Sequence, residues 1–242
     1  MLKALFFEVL DTVDSTNNYA MAQIHGGKAK DGMAYFAHHQ THGKGQRGKQ
    51  WQAAKEQNII LSVVFAVDKL KLPQPYLFNM LIAHTVQQFF KQYTLKNTTI
   101  KWPNDIYWCD RKAGGILIEN NYSGKNWKWA VVGIGLNINQ TDFDPLLPNP
   151  TSLQQITGNN YDVLQLAKQL HEKLITAIQN IESVNVLKNY NAVLYKKDEK
   201  VKLKKGSIVF ETTVKHVDEK GVLHCEDVME REFGWGEVEW VL

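Results

Sequence analysis

Apolar residues recur along this chain at two spacings, and the switches between them mark its elements. Phe6 to Leu10 reads as a short strand. Asp14 and Ser15 are good N-caps for a helix through Tyr19, Ala20 and Met21, which Gly26-Gly27 ends. Met33 to His39 predicts a strand, and the branched run Ile59 to Val67 predicts a buried one. Tyr76 to Tyr93 repeats at helical spacing through Leu77, Leu81, Val86 and Phe89. Thr99 to Trp102 reads as a strand that Pro103-Asn104-Asp105 stops and Ile106 to Trp108 resumes. Asp110 to Gly115 reads as a hairpin connection into a strand over Ile116 to Asn120. Asn121 to Asn126 is a turn, and Trp129 to Ile138 is a strand interrupted by Gly133 and Gly135. The segment 141–160, rich in Pro, Asn, Asp and Thr, reads mostly as loop. Asp162 caps a helix to about Ile181, with Leu166, Leu170, Leu174 and Ile178 on one stripe.

The pattern changes near Tyr195. Lys200 to Lys204, Ile208 to Val217, Gly221 to Glu226, Glu230 to Gly234 and Val238 to Val241 read as five short strands, the composition of a small β-barrel. A unit of that size is marginal alone, so it is expected to pack on the larger part. The expected division is 1–190 and 191–242.

Composition narrows the classes. The 242 residues are 44% hydrophobic and carry a net charge of +3, which does not by itself suggest nucleic-acid binding. Cationic residues cluster around 44–49 and 196–205; the second cluster reads as a solvated face. Cys109 and Cys225 lie far apart in no metal-ligand spacing, and each reads as a buried free thiol. The start Met1 to Glu8 has too short an apolar core for a secretion signal, and no run is long enough to span a bilayer. The expected location is the cytoplasm. The early strand and helix leave no room for an N-terminal helix-turn-helix module, so no specific DNA binding is expected.

Several polar stretches carry candidate chemistry. Gly43-Lys44-Gly45-Gln46-Arg47-Gly48-Lys49-Gln50-Trp51 combines glycines with cations, the make-up of a loop that wraps an anion; a plain basic surface loop has the same composition. Ser15-Thr16-Asn17 opens a helix, where capping competes with binding a polar head group. Gln40 ends a strand and offers a paired donor and acceptor. Lys101-Trp102-Pro103-Asn104-Asp105-Ile106 gathers a cation, an amide and a carboxylate suited to Mg²⁺ and a nucleotide, or forms an Asx turn. Lys112-Ala113-Gly114-Gly115 places two glycines beside a lysine, and Gly133 and Gly135 interrupt a strand as at a close ligand approach. Neither a dinucleotide fingerprint nor a Walker A lysine is present.

In this order and approximate spacing, the motifs across 15–139 resemble the biotin protein ligase family, biotin–[acetyl-CoA-carboxylase] ligase, in a short form without a DNA-binding domain. The resemblance implies an α+β catalytic domain with a mixed sheet and flanking helices, similar to class II aminoacyl-tRNA synthetases, and an SH3-like C-terminal barrel. It implies that ATP and biotin, with Mg²⁺, form biotinyl-5′-AMP, and that a lysine of a biotin carboxyl carrier domain then takes the biotinyl group. Carried over by position, Lys112, Asp105 and Lys44 would be catalytic. Ser15, Thr16, Asn17, Gln40, Lys44, Gly45, Gln46, Lys112, Gly114 and Gly115 would bind biotin. Lys44, Arg47, Trp51, Lys101, Asn104, Lys112, Asn137 and Asn139 would bind the nucleotide, and Asp105 the metal.

One departure stands out. Lys44 and Gln46 occupy the two positions where the family's loop carries arginine, which implies weaker retention of the adenylate unless Arg47 compensates. Two other readings compete. A lipoate or octanoyl ligase on a similar scaffold would need a long apolar channel rather than this polar set. A non-enzymatic biotin-binding regulator would have no need of Lys112 and Asp105. Monomer and homodimer both stay open.

Overall fold

The computed structural model describes residues 6–70, 75–95, 97–181 and 183–241, so segment 1–5 of the N-terminal stretch lies outside the described residues. Seven strands form the main sheet: β1 (Phe7–Val13), β2 (Ala34–Gln40), β3 (Asn58–Ala66), β4 (Thr98–Lys101), β5 (Asp105–Trp108), β6 (Arg111–Ser123) and β7 (Asn126–Asn137). Their spatial order is β1-β2-β3-β7-β6-β5-β4. Only β1 and β2 pair in parallel; the other neighbours are antiparallel, so the sheet is mixed as expected.

All nine residues of β3 are buried, which requires cover on both faces. Ile59, Leu61, Val63 and Phe65 point into the larger core with Val132, Ile134 and Leu136 of β7. Helices α2 (Pro75–Thr94) and α4 (Val163–Gln179) close that face. Pro75 opens α2, where its missing N–H costs no helical bond. Asp162 caps α4 by accepting from Gln165 N, and Leu166, Leu170 and Leu174 form the buried stripe. The opposite face is covered by α1 (Thr16–His25), whose Ala20 packs with Tyr35, Val64 and Val131.

Four expectations change. The β6–β7 hairpin is much longer than predicted, so Lys112, Gly114 and Gly115 sit inside β6 rather than in a connection. Cross-strand pairing with β5 and β7 extends the strand through its glycines, an effect no local signal carries. Segment 141–160 contains a short helix α3 (Leu153–Thr157), capped by Ser152 and ended by Gly158 in the left-handed region. Helix α5 (Ser183–Ala192) was not predicted. Cys225 is buried, but Cys109 is exposed in the two-residue turn between β5 and β6.

All five C-terminal strands form: β8 (Lys200–Lys205), β9 (Ile208–Val217), β10 (Leu223–Glu226), β11 (Glu230–Phe233) and β12 (Glu239–Val241). They make one antiparallel sheet in the order β11-β10-β9-β8-β12. It is joined firmly to the larger part. Asn191 of α5 both donates to Val217 O and accepts from Val217 N, and Trp102 Nε1 donates to Gly221 O at 3.0 Å. Residues 193–195 run beside β4, with Ile100 N donating to Val193 O and Tyr195 N to Ile100 O, both at 2.8 Å.

Candidate functional site

Register builds the site. Asp105, Gly115, Gly135 and Ile60 are successive partners across β5, β6, β7 and β3. The next row sets Leu117, Gly133 and Ser62 side by side. Glycines at 115, 133 and 135 therefore strip side chains from adjacent places on one face of the sheet. The bare patch is occupied from above: a Cβ on Gly135 would overlap the indole of Trp51, and a Cβ on Gly133 would overlap the amide of Asn17. A cavity of about 320 Å³ lies there, within the size range of small-molecule sites.

One end of the cavity is polar. Ser15 is 1% exposed and stands at the N-cap of α1, yet its side chain makes no capping bond, which leaves the hydroxyl to the cavity. Thr16 donates to Gln40 Oε1 from both its N–H, at 2.7 Å, and its hydroxyl, at 3.1 Å. Ser62 lies within hydrogen-bond distance of Thr16 Oγ1 at 2.7 Å and Asn17 Oδ1 at 2.6 Å. Asn17 Nδ2 donates to Glu119 Oε2 at 2.7 Å. Each buried polar atom in this chain of contacts braces the next, so the set is pre-organised.

The other end is charged. Lys112 Nζ stands 2.7 Å from Asp105 Oδ1, and its ammonium lies 5.9 Å from the Trp51 ring centre. Both partners are partly exposed to the cavity, with side-chain exposures of 31% and 24%. Asn104 donates its amide N–H to Ile116 O and fixes the turn before Asp105. Asn137 donates to Thr151 O at 2.9 Å and lines the cavity from the end of β7.

The glycine loop forms the roof. Lys44 pairs with Glu119 at 3.3 Å. Gly43 has no room for a Cβ against the carbonyl of Trp51. Lys44, Gly45, Gln46, Arg47 and Trp51 all line the cavity.

Three expected residues do not. Gly114 faces β7, where a Cβ would overlap Leu136. Asn139 is tied to Tyr161, donating to its carbonyl and accepting from its N–H. Lys101 points at Tyr107 and donates to its hydroxyl at 3.1 Å, beside the ring of Trp240. Burial pulls its pKa down to about 8, Lys112 and Lys49 push the same way, and Asp105 opposes them.

That shift has a sign in stability. The folded value lies below the ordinary 10.5, so between about pH 8 and pH 10 the unfolded chain binds the extra proton. Stability from this group therefore rises with pH across that window. Urea unfolding at several pH values should show the rise in the wild type and a flatter profile for Lys101→Met. Parallel profiles would remove Lys101 as the cause.

Several lining or bracing residues were not predicted. Ser62 interrupts an apolar strand, a readable signal. Glu119 ends the stretch that begins at Lys112, but the sequence assigns it no role. Phe143, Leu147, Pro148 and Pro150 wall the cavity from a segment read only as loop.

Comparison with known proteins bears on the family and the fold. The model of the biotin/lipoate A/B protein ligase family matches residues 9–137. The bifunctional ligase/repressor BirA of Escherichia coli is 30% identical over 176 residues, 72% of this chain and 54% of that protein. The biotin–[acetyl-CoA-carboxylase] ligase of Mycobacterium tuberculosis is 28% identical over 181 residues, 74% of this chain and 66% of that protein. The chain thus spans about half the length of the BirA relatives it matches. The fold is that of the biotin protein ligase of Aquifex aeolicus, solved with biotin and ATP, at a TM-score of 0.81 and 21% identity over 98% of both chains. With the family model covering more than half of its length, the chain belongs to the biotin/lipoate A/B protein ligase family.

Proposed function

We propose that this protein is a biotin protein ligase that joins biotin to a lysine of a biotin carboxyl carrier domain at the expense of ATP. The observation that carries the reading is the cavity's two-ended chemistry: a braced polar set at one end and the Lys112–Asp105 pair at the other. Biotin has matching ends, a ureido ring and a carboxylate.

In the first step a biotin carboxylate oxygen attacks the α-phosphorus of ATP. A new C–O–P linkage forms and pyrophosphate leaves. Two anions must meet, so the Lys112 ammonium offsets their repulsion and grows in value as charge develops. Lys44, Arg47 and Asn137 border the same space and suit the adenylate. In the second step the carrier lysine, as a neutral amine, attacks the anhydride carbonyl. An amide forms, AMP leaves with the bonding pair, and the ammonium proton is lost. Asp105 and Trp51 both line the cavity; Asp105 would help organise the metal or that incoming amine, and Trp51 would exclude water from the reactive anhydride.

Among the described residues no three His, Cys, Asp or Glu side chains gather as a metal cage. This suits Mg²⁺ carried in on ATP phosphates, which needs only one or two protein carboxylates; Asp105 would supply one. Bound there, the ion would neutralise phosphate charge.

No described helix is long and apolar enough to cross a membrane. A cytoplasmic place is consistent with the free thiols Cys109 and Cys225.

The test is labelling of a purified carrier domain that requires both biotin and ATP. Transfer of lipoate in place of biotin would overturn the reading in favour of the family's other branch.

A further inference from the structure

Gln46 lines two cavities at once. With Asn104, Ile116 and Leu117 it separates the cavity described above from a second of about 370 Å³, which also borders Tyr76, Trp102 and Trp235. Trp235 stands in the turn between β11 and β12, on the C-terminal sheet, and does not line the first cavity. Its Nε1 donates to Gln46 Oε1 at 3.0 Å, while Gln46 Nε2 reaches Ile116 O at 3.5 Å. One residue on, the Arg47 guanidinium packs on the same turn, 3.5 Å from where a Gly236 Cβ would stand.

The loop needs such a hold. Arg47 and Gly48 both have positive φ, 55° and 75°, and Lys44, Arg47, Gly48, Lys49 and Gln50 are exposed. Its own backbone bonds are short-range, from Gly45 N to Lys49 O, Lys49 N to Gln46 O and Trp51 N to Gly43 O.

We propose that Trp235 is a positioning residue that holds the glycine loop closed by donating to Gln46. The side chain at 46 has to accept a hydrogen bond for this to work. Glutamine can; an arginine there would offer only donors and would face the indole N–H without an acceptor. Gln46 and Trp235 therefore form a matched pair. What the closed loop covers rests on the ligase reading above.

The test has two readouts. The first is tryptic cleavage of the unliganded protein within the loop, at Lys44, Arg47 or Lys49, which follows the open population. Trp235→Phe removes the donor and keeps an aromatic ring; Gln46→Met removes the acceptor. Each should speed cleavage by about three- to tenfold, the worth of one hydrogen bond, and the double variant no more than either single. The second readout is escape of biotinyl-AMP formed in the absence of a carrier, which should rise by a similar factor. Thermal unfolding of each variant reports whether the fold is kept; should Trp235→Phe unfold, Gln46→Met alone decides. Wild-type cleavage in the folded variants, or effects that multiply in the double variant, overturns the proposal. A wild type that forms no adenylate overturns the ligase reading instead, and the cleavage comparison still decides the anchor.

Discussion

On the ligase reading proposed above, replacing Lys112 with alanine is expected to lower adenylate formation by about 10²- to 10³-fold, the usual loss when a donor aimed at developing charge is removed. The geometry gives two reasons. The ammonium is the cation paired with Asp105, at 2.7 Å, and both groups border the cavity. Its removal subtracts a positive charge and leaves a carboxylate unpaired where two further anions must approach. The pair lies on strands pinned by register, so the fold should survive the substitution. Pyrophosphate release with biotin and ATP measures the step directly. Lys112→Arg should recover only part of the rate, because a planar fork does not replace a compact ammonium. Undiminished pyrophosphate release by Lys112→Ala would take Lys112 out of the chemistry.

The second large effect is expected at Gly135. Valine there would drive its side chain into the volume that the Trp51 indole fills. The ring sits on a loop and the strand is locked between β3 and β6, so the ring should be the part that moves. Ligand affinity should fall by more than about tenfold, or about 1.4 kcal/mol. Stability should fall by about 1–3 kcal/mol, as for other overpacked sites. Ligand-dependent thermal shifts and urea unfolding measure the two. Trp51→Ala provides the control: in that background Gly135→Val should cost far less stability, because the space is vacant. Equal costs in both backgrounds would show that Trp51 is not what the glycine makes room for.

What the sequence revealed follows how far each signal reaches along the chain. Strand and helix positions were readable because spacing is local: β3 and α4 announce themselves by an apolar run and a leucine stripe. Ser15, Thr16, Asn17, Gln40 and Lys112 were readable because their types are unusual in place. The juxtaposition of Gly115 with Gly135 was not, since it depends on hydrogen-bonded partners twenty residues apart. Glu119 was missed for the same reason; it matters only because it meets Asn17 and Lys44 from far away. Lys101 and Asn139 stand outside the cavity lining because a motif fixes a residue's place in the chain but not the direction of its side chain. Lys101 lies beside the site in sequence and turns toward Tyr107.

The expected boundary near residue 191 takes on a different character in the fold. Residues 193–195 hydrogen-bond along β4, so the connection between the two sheets is itself part of the larger one. Cutting there would not release two modules. It would bare the β4 edge as a template for stray strands and strip Asn191, Trp102 and Tyr76 of their neighbours on the smaller sheet. A gene divided at that point would encode two fragments that must find each other to be soluble. A fusion partner is better attached beyond the last strand than inserted at the seam.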